Sequence, residues 1–205
     1  MPIPPDKKHN LEILISTTKK NNLDFIENIF FENPQHNFPI IIVNQAGKIK
    51  NSNNKNIKII NTETKGLSKS RNMAIKNSSK KFCLLADDDI IYKNGFYKTI
   101  EQSFEENLDA DIITFMMVDK NGKHFKKYIN NIKHNYKSIR KVNSVVIAFK
   151  RESIIKNNIQ FDALFGLGAT FNTGEEYIFL RNCIQKKLTV LFYPKIILQI
   201  RNLLL

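Results

Sequence analysis

The sequence predicts an α/β fold in which a mostly parallel central sheet is flanked by helices. Short apolar runs that suit buried strands alternate with segments whose apolar residues recur at helical spacing. This alternation is typical of βαβ units. The 205 residues are 42% hydrophobic and 25% charged, which is enough for an α/β domain with its own core. With no internal repeat and no long linker, one domain spanning residues 1–205 is the simplest organisation.

In the first half of the chain, predicted strands and helices alternate regularly. Gly66 breaks the chain before one of the predicted helices, and residues 82–86 are apolar throughout, as in a strand buried on both faces. The predicted strands lie at residues 11–16, 39–43, 57–60, 82–86 and 111–117. The predicted helices lie at residues 23–30, 67–78 and 95–107. This half, about residues 10–118, is the expected nucleotide-binding part.

The second half is less regular. Residues 119–141 are polar and basic, and we interpret them as a variable insertion or acceptor-side loop. A strand at 142–149 and a helix from about residue 151 precede an irregular loop at 161–173, whose glycines suggest mobility. A helix at 174–187 and a strand at 188–193 follow, and Pro194 is expected to end that strand. Residues 119–195 would form the acceptor and catalytic part, followed by an apolar tail at 196–205. Truncation or a frame change is one explanation of this tail, and a short apolar helix that docks on the body, a partner or a membrane is the other.

Three consecutive carboxylates, Asp87, Asp88 and Asp89, follow the buried strand at 82–86. In open α/β sheets, ligands bind beyond the carboxyl ends of the strands. Adjacent carboxylates repel one another unless a cation is bound, so the triplet predicts a divalent-metal site that holds a diphosphate. A solvated acidic turn is the alternative.

Arg71 shares a helical face with Leu67 and Ile75, so its guanidinium is expected to point toward the sheet. Near a helix N-terminus, it would suit a nucleotide base or phosphate, and Ser68 could cap the helix. The alternative is an ordinary capped helix whose arginine pairs with a nearby carboxylate.

Glu176 is predicted to head the buried face of its helix, because Phe179, Leu180 and Cys183 follow at i+3, i+4 and i+7. Partial burial would raise its pKa and suit it to work as a general base. Glu175 is expected to turn away from that face. Both glutamates could instead simply complement the helix dipole.

The remaining composition excludes several classes of protein. No apolar stretch has the ~20 residues of a transmembrane helix, and no signal-peptide pattern begins the chain. Cys83 and Cys183 form no CxxC pair, which favours a reducing cytoplasm and no zinc site. None of the four histidines has metal-ligand spacing, so each is expected at the surface. No GxGxxG, P-loop or GxSxG motif occurs.

The net charge of +13 comes from scattered lysines without the interleaved aromatics of nucleic-acid-binding modules. We therefore expect no nucleic-acid partner. Weak attraction to an anionic membrane surface stays open, so the expected location is the cytoplasm or the inner face of the membrane.

Taken together and in order over residues 11–194, these segments resemble family 2 glycosyltransferases of the GT-A fold, a Rossmann-like architecture, and most closely the bacterial enzymes that build surface polysaccharides. The matching segments are Gly66-Leu67-Ser68-Lys69-Ser70-Arg71-Asn72, Asp87-Asp88-Asp89, Phe165-Gly166-Leu167-Gly168-Ala169 and Gly174-Glu175-Glu176. The resemblance implies a metal-dependent inverting transfer of a sugar from a nucleotide sugar, most simply a UDP-sugar, to a glycan or lipid-linked saccharide.

The resemblance also implies roles for donor-side residues. The triplet matches the DxD element, with Asp89 chiefly binding Mn²⁺ or Mg²⁺ and Asp87 as the other metal candidate. Asp87 or Asp88 would help seat the nucleotide, and Arg71 would lie near it. Thr17 and Asn44 match positions that line the nucleoside pocket, although Asn44 replaces the usual aspartate.

On the acceptor side, Glu176 matches the acid of the family's ED pair and is implied to be the catalytic base, with Glu175 as the second candidate. The usual aspartate is a glutamate here, one methylene longer. Similar enzymes continue further and many supply a metal-contacting histidine after this point, whereas no histidine follows Glu176. A shortened C-terminus with weak or absent activity therefore stays open.

Two alternatives differ from this interpretation. A sugar-nucleotide nucleotidyltransferase should carry a glycine-rich basic loop near the N-terminus, and residues 15–18 do not supply one. A non-catalytic, truncated nucleotide- or polyanion-binding protein would bind through charge alone, and its affinity would fall steeply with salt.

Overall fold

The computed structural model describes residues 9–34, 37–128 and 132–201. Within these residues one sheet contains eight strands. They are β1 (Leu11–Thr18), β2 (Ile40–Gln45), β3 (Ile57–Thr62), β4 (Phe82–Asp87), β5 (Ile90–Tyr92), β6 (Ile112–Val118), β7 (Ile147–Lys150) and β8 (Val190–Ile200). The helices are α1 (Asp24–Ile29), α2 (Leu67–Asn77), α3 (Phe96–Glu106), α4 (Arg151–Lys156) and α5 (Glu175–Gln185). Short 3-10 turns occupy Ser138–Lys141 and Ser144–Val146.

The strand order is β3-β2-β1-β4-β7-β6-β8-β5. The first four strands are mutually parallel, β7 is antiparallel to both of its neighbours, β6 and β8 are parallel, and β5 is antiparallel to β8. Six of the eight strands therefore run in one direction, and the prediction of a mostly parallel sheet flanked by helices is confirmed.

The pairing of β1 with β4 brings the ends of two strands together. Ser16 lies opposite Asp87, and on the other side of β1 Thr17 lies opposite Asn44 of β2. The strand interiors are buried because they are apolar on both faces, as in Ile13, Leu84 and Ile113. Polar side chains gather where β1, β2 and β4 end, which places a candidate site at this edge.

The expectation that Pro194 ends the last strand was wrong. β8 runs through Pro194 to Ile200, so residues 196–200 of the tail lie in a strand and not in the docking helix that was one alternative, whereas residues 202–205 lie outside the described residues. The register against β6 shifts between Thr114 and Met116, which pair with Phe192 and Ile196, and this irregularity contains the proline. A bulge tolerates a residue that has no N–H to donate to the ladder.

Two further details differ from the predictions. The strand predicted at 142–149 is shorter, because Ser144–Val146 is a 3-10 turn and β7 begins at Ile147. The three-residue strand β5 was not predicted. It pairs with β8 so that Ile90 faces Ile200, which carries the end of β8 to the aspartate triplet. No helix among the described residues is long and apolar enough to cross a membrane.

Candidate active site

Three separate sequence clusters meet at the buried guanidinium of Arg71. Its Nη1 donates to Glu175 Oε1 at 3.0 Å, and its Nη2 donates to Asp87 Oδ1 at 3.3 Å. Nη2 also donates to Ser144 Oγ at 2.7 Å. The prediction that Arg71 points toward the sheet is confirmed, since only 1% of the residue is exposed. The alternative that it pairs with a carboxylate is also correct, because it pairs with two.

The surroundings of Arg71 leave little freedom for its side chain. The guanidinium carbon lies 5.5 Å from the centre of the Phe161 ring, a cation–π distance. Nε of Arg71 is buried and has no hydrogen-bond partner among the described residues. Two carboxylates compensate the buried charge, as a desolvated guanidinium requires. Arg71 therefore fixes the relative positions of the end of β4 and the start of α5.

The expected orientations of the two glutamates are reversed. Glu175 is the buried member, at 7% exposure, because it turns inward to pair with Arg71. Glu176 is only partly buried. Its pKa is nevertheless raised, first by burial and then by the negative charge of Glu175. The helical period placed Glu176 with the apolar residues of α5, but it could not account for a cation beside the first turn.

The aspartate triplet lies at the end of β4 and in the turn that follows. Burial raises the pKa of Asp87, and the Arg71 guanidinium opposes that shift. Burial also raises the pKa of Asp89, and the charges of Asp87 and Asp88 raise it further. The backbone carbonyl of Asp89 accepts a hydrogen bond from the Arg201 N–H at 3.2 Å. The triplet is therefore partly buried and self-repelling, unlike the solvated acidic turn that was the alternative.

Asp88 belongs to a second group of contacts. Thr17 Oγ1 donates to Asp88 Oδ2 at 2.5 Å, and Lys20 Nζ lies 2.9 Å from the same oxygen. Thr17 and Asp88 thus lie together, as the adjacent strand ends predict. Lys20 was not singled out from the sequence. It lies in the loop after β1, and only the pairing of β1 with β4 brings that loop to the triplet.

Asn44 lies at the end of β2, as expected, but its amide is fully engaged by the protein. Its Oδ1 accepts from the Lys20 N–H at 3.1 Å, and its Nδ2 donates to the Lys20 carbonyl and to Asn61 Oδ1. The residue is completely buried. Asn44 therefore holds the loop that carries Lys20.

The described residues contain no group of three or more His, Cys, Asp or Glu side chains arranged to hold a metal ion. Asp87 and Asp89 nevertheless could contribute two carboxylates, whose mutual repulsion a cation would relieve. Mg²⁺ is commonly bound through one or two carboxylates plus substrate phosphates. The residues present therefore fit an ion whose remaining ligands come from a diphosphate and water.

The loop at 161–173 lies against the start of α2. The Leu67 N–H donates to the Leu167 carbonyl at 2.9 Å, and Ser68 Oγ donates to the Phe165 carbonyl at 2.7 Å. Ser68 thus holds this loop and does not cap its helix, in contrast to the expectation. Gly166 has a φ of +100°, and a Cβ there would lie 3.2 Å from Ser68 Oγ and 3.3 Å from Glu175 Cδ. Position 166 therefore favours glycine for two reasons, because the backbone is left-handed there and because a Cβ would crowd its neighbours.

His134 is a further correction, because it was expected at the surface and is 8% exposed. Its ring nitrogens lie 2.8 Å from Thr114 Oγ1 and 2.9 Å from Ser138 Oγ. Burial and the nearby charge of Lys126 lower its pKa to about 4. His124 is exposed and His9 partly buried, whereas His36 lies outside the described residues.

Crystal structures of TarS from S. aureus have a similar fold. TarS matches with a TM-score of 0.70 and 16% identity, over 94% of this chain and 37% of that chain. The TarS 1–349 structure in complex with UDP-GlcNAc matches with a TM-score of 0.69 and 16% identity, over 93% and 58% of the two chains. The TarS 1–349 structure in complex with UDP matches with a TM-score of 0.66 and 14% identity, over 93% of this chain and 60% of that chain. The chain thus spans less than two thirds of the length of these proteins.

The fold is GT-A-like, with a curled and mostly parallel central sheet flanked by helices. The chain belongs to glycosyl transferase family 2, whose sequence model matches residues 8–172. No curated protein sequence matches the chain.

Proposed function

We propose that this glycosyltransferase moves a sugar from a nucleotide-sugar donor to a hydroxyl of a glycan or lipid-linked saccharide, with inversion at the anomeric carbon. The observation that carries the proposal is the pairing of Arg71 with both Asp87 and Glu175. It joins the carboxylates that suit a divalent cation on the donor diphosphate to the helix that carries the candidate base. Two acidic groups with separate tasks therefore share one site.

The donor would lie over the ends of β1 and β4. Thr17 and Lys20, both in contact with Asp88, line this edge and are available to a nucleoside diphosphate. Asn44 would support the nucleoside pocket indirectly, by holding the Lys20 backbone. The TarS structures in complex with UDP and with UDP-GlcNAc support a UDP-sugar as the donor.

Asp89, with Asp87 as the second ligand, would hold Mn²⁺ or Mg²⁺. When bound, the ion would neutralise negative charge on the leaving nucleoside diphosphate. Arg71 would hold Asp87 in place, since its guanidinium is itself confined by Glu175 and Phe161.

Glu176 would act as the general base. Its raised pKa makes its carboxylate a stronger proton acceptor than an ordinary glutamate. Glu175 would serve as a positioning residue, because its carboxylate is already committed to Arg71 at 3.0 Å. The negative charge of Glu175 also contributes to the raised pKa of its neighbour.

In the reaction, the acceptor hydroxyl would give its proton to Glu176 while its oxygen forms a bond to the anomeric carbon. The bond between that carbon and the donor phosphate oxygen would break, and the leaving nucleoside diphosphate would take the electron pair. Attack from the face opposite the leaving group inverts the configuration. The loop at 161–173 would form part of the acceptor wall, since it contacts both α2 and the start of α5.

The biological setting we propose is surface-polysaccharide synthesis in a bacterium. The enzyme would work in the cytoplasm or at the inner face of the membrane, where nucleotide sugars and lipid-linked saccharides meet. The net charge of +13 would favour a weak association with anionic lipid.

The test is a screen of nucleotide sugars for transfer and hydrolysis, with and without Mn²⁺, together with thermal unfolding in the presence of UDP and Mn²⁺. At a hundredfold excess over Kd, we expect ligand binding to raise Tm by about 5–10 °C. Asp89→Ala should abolish this rise. Glu176→Gln should retain it and lose transfer. A melting curve that no nucleoside diphosphate changes would contradict the proposal.

A further inference from the structure

A recess of about 230 Å³ lies between the sheet and the segment that follows β6. Thr114 and Phe115 of β6 and Phe192 of β8 contribute to its walls from the sheet. Val146 and residues from 126–128 and 134–142 line the rest. It is smaller than the ~300–1,000 Å³ of a site for a drug-sized ligand, so its size suits one sugar unit or one small anion.

The recess is strongly basic. Lys126, Lys127, Lys137 and Lys141 all line it, and none of its lining residues is acidic. None of these four lysines takes part in an ion pair between described residues. Residues 119–141 contain seven lysines and one arginine but only one aspartate. The recess therefore has a large excess of positive charge and no carboxylate in its lining.

Lys126 is the innermost cation of this group. It is partly buried, and its ammonium group donates to Asn143 Oδ1 and to the Lys141 carbonyl, which are both uncharged acceptors. Burial lowers its pKa to about 8, with the charge of Glu176 opposing the shift and that of Lys141 adding to it. An anion in the recess would give this partly desolvated ammonium a charged hydrogen-bond partner, in addition to the more distant charge of Glu176.

The recess adjoins the candidate base. Lys126 contacts Asn143, and the next residue, Ser144, accepts a hydrogen bond from Arg71. The 3-10 turn that ends at Lys141 also packs against α5, the helix that begins with Glu175 and Glu176. An anion bound at Lys126 would therefore lie on the acceptor side of the site.

The walls of the recess are better suited to bind a saccharide than to contact a lipid surface. The rings of Tyr128 and Phe192 are stacked with centroids 5.7 Å apart, and together they form an apolar face within the basic recess. Rigid aromatic faces favour contact with the apolar face of a ring. A membrane, by contrast, would contact a protruding surface of the protein and not the inside of a recess of this size.

We propose that this recess binds a phosphate or carboxylate group of the acceptor saccharide, so that the acceptor of this enzyme is anionic. The proposal rests on the proposed function, because it places the acceptor hydroxyl near Glu176. It adds the chemical class of the acceptor and assigns its recognition to Lys126, Lys127, Lys137 and Lys141.

The experiment is an NMR titration of the ¹⁵N-labelled full chain with glucose 6-phosphate, glucuronate and, as the neutral control, glucose. Asp89→Ala is the background, so that anion binding through a metal at the donor site does not contribute. We expect the amides of Lys126, Tyr128 and Phe192 to shift with the two anionic sugars and not with glucose.

Charge reversal then tests the lysines. Lys137→Glu and Lys141→Glu should each weaken binding by about tenfold, the effect expected for loss of a charge-assisted contact. Lys98→Glu and Lys156→Glu reverse lysines on α3 and α4 that are also exposed but lie outside the recess, and these variants should bind as the parent does. All four substitutions change the net charge of the protein by the same amount. If only the Lys137 and Lys141 variants bind more weakly, the cause is therefore the position of these lysines and not the net charge.

The proposal is overturned if glucose produces the same shifts, if the four variants bind alike, or if the shifts occur only around residues 87–89. It is also overturned if vesicles with anionic phospholipid bind through Lys137 and Lys141 while the anionic sugars do not. The titration needs no nucleotide sugar. Failure of the proposed function would instead appear as the absence of any effect of UDP and Mn²⁺ on Tm.

Discussion

Arg71 donates to Glu175 across 104 residues of sequence, with Nη1 and Oε1 3.0 Å apart. Both residues are buried, so the pair has lost most of its hydration. A buried ion pair contributes little net stability over an apolar pair of the same shape, but removing one partner leaves a charge that nothing compensates. The pair is therefore best understood as a device that fixes where α5 begins relative to the aspartates.

Glu175→Ala should destabilise the protein by about 3 kcal/mol, because it leaves the buried guanidinium with only Asp87 as a charged partner. Chemical denaturation of the ligand-free protein measures the effect. Glu105→Ala is the control, since Glu105 is an exposed glutamate of α3 and should change stability by less than about 0.5 kcal/mol. Equal effects of the two changes would show that the pair has no structural role.

Gly166→Ala should destabilise the protein and lower activity. The left-handed φ of +100° costs an alanine about 1–2 kcal/mol, and the new Cβ would press on Ser68 and Glu175. The matched control is Gly122→Ala. Gly122 also has a positive φ, +76°, but open space surrounds the position where its Cβ would be.

The difference between the two glycine variants isolates the steric contact. We expect Gly166→Ala to lose more stability than Gly122→Ala and to lose transfer activity as well. If Gly122→Ala has an equal effect on both, backbone strain alone explains the result.

The dependence of activity on pH should report Glu176. Only the deprotonated carboxylate can accept a proton, so kcat/KM should rise with pH through the pKa of Glu176. Burial and Glu175 raise that pKa, so the acidic limb should lie above the pH expected for an ordinary glutamate. Glu176→Gln should reduce kcat by about 10²–10⁴-fold without a comparable loss of stability. A variant that keeps its activity and its acidic limb would show that another group is the base.

His134 should make stability depend on pH. Its pKa is about 4 in the folded protein and near 6.5 when exposed, so the unfolded chain binds more protons between these values. This contribution to stability is complete above pH 6.5 and is lost as pH falls toward 4. Between pH 7.5 and pH 5 the loss should be about 2 kcal/mol.

Denaturation of His134→Asn at the two pH values provides the measurement. The variant should be less stable at pH 7.5 and should lose less stability on acidification than the parent protein. His124→Asn removes an exposed histidine and should leave the difference between the two pH values unchanged. An unchanged difference in His134→Asn would mean that the ring is not held neutral.

Most of the fold could be predicted because its signals are local. Buried strands such as β1, β2 and β4 are continuous apolar runs, and α2, α3 and α5 are amphipathic or begin after a glycine. The elements that were missed depend on partners far away in sequence. β5 exists because β8 lies beside it, and β8 passes Pro194 because a bulge against β6 accommodates the ring.

The same division holds for the site. The sequence by itself determined which residue types collect at the strand ends, since carboxylates and an inward-facing arginine are encoded by local spacing. Only the tertiary structure decided that Glu175 is buried in place of Glu176, that Lys20 reaches Asp88, and that four lysines surround one recess. The physical reason is that the burial and charge pairing of a side chain depend on the residues that pack against it. These residues come from segments far away in sequence, whose positions local periodicity does not predict.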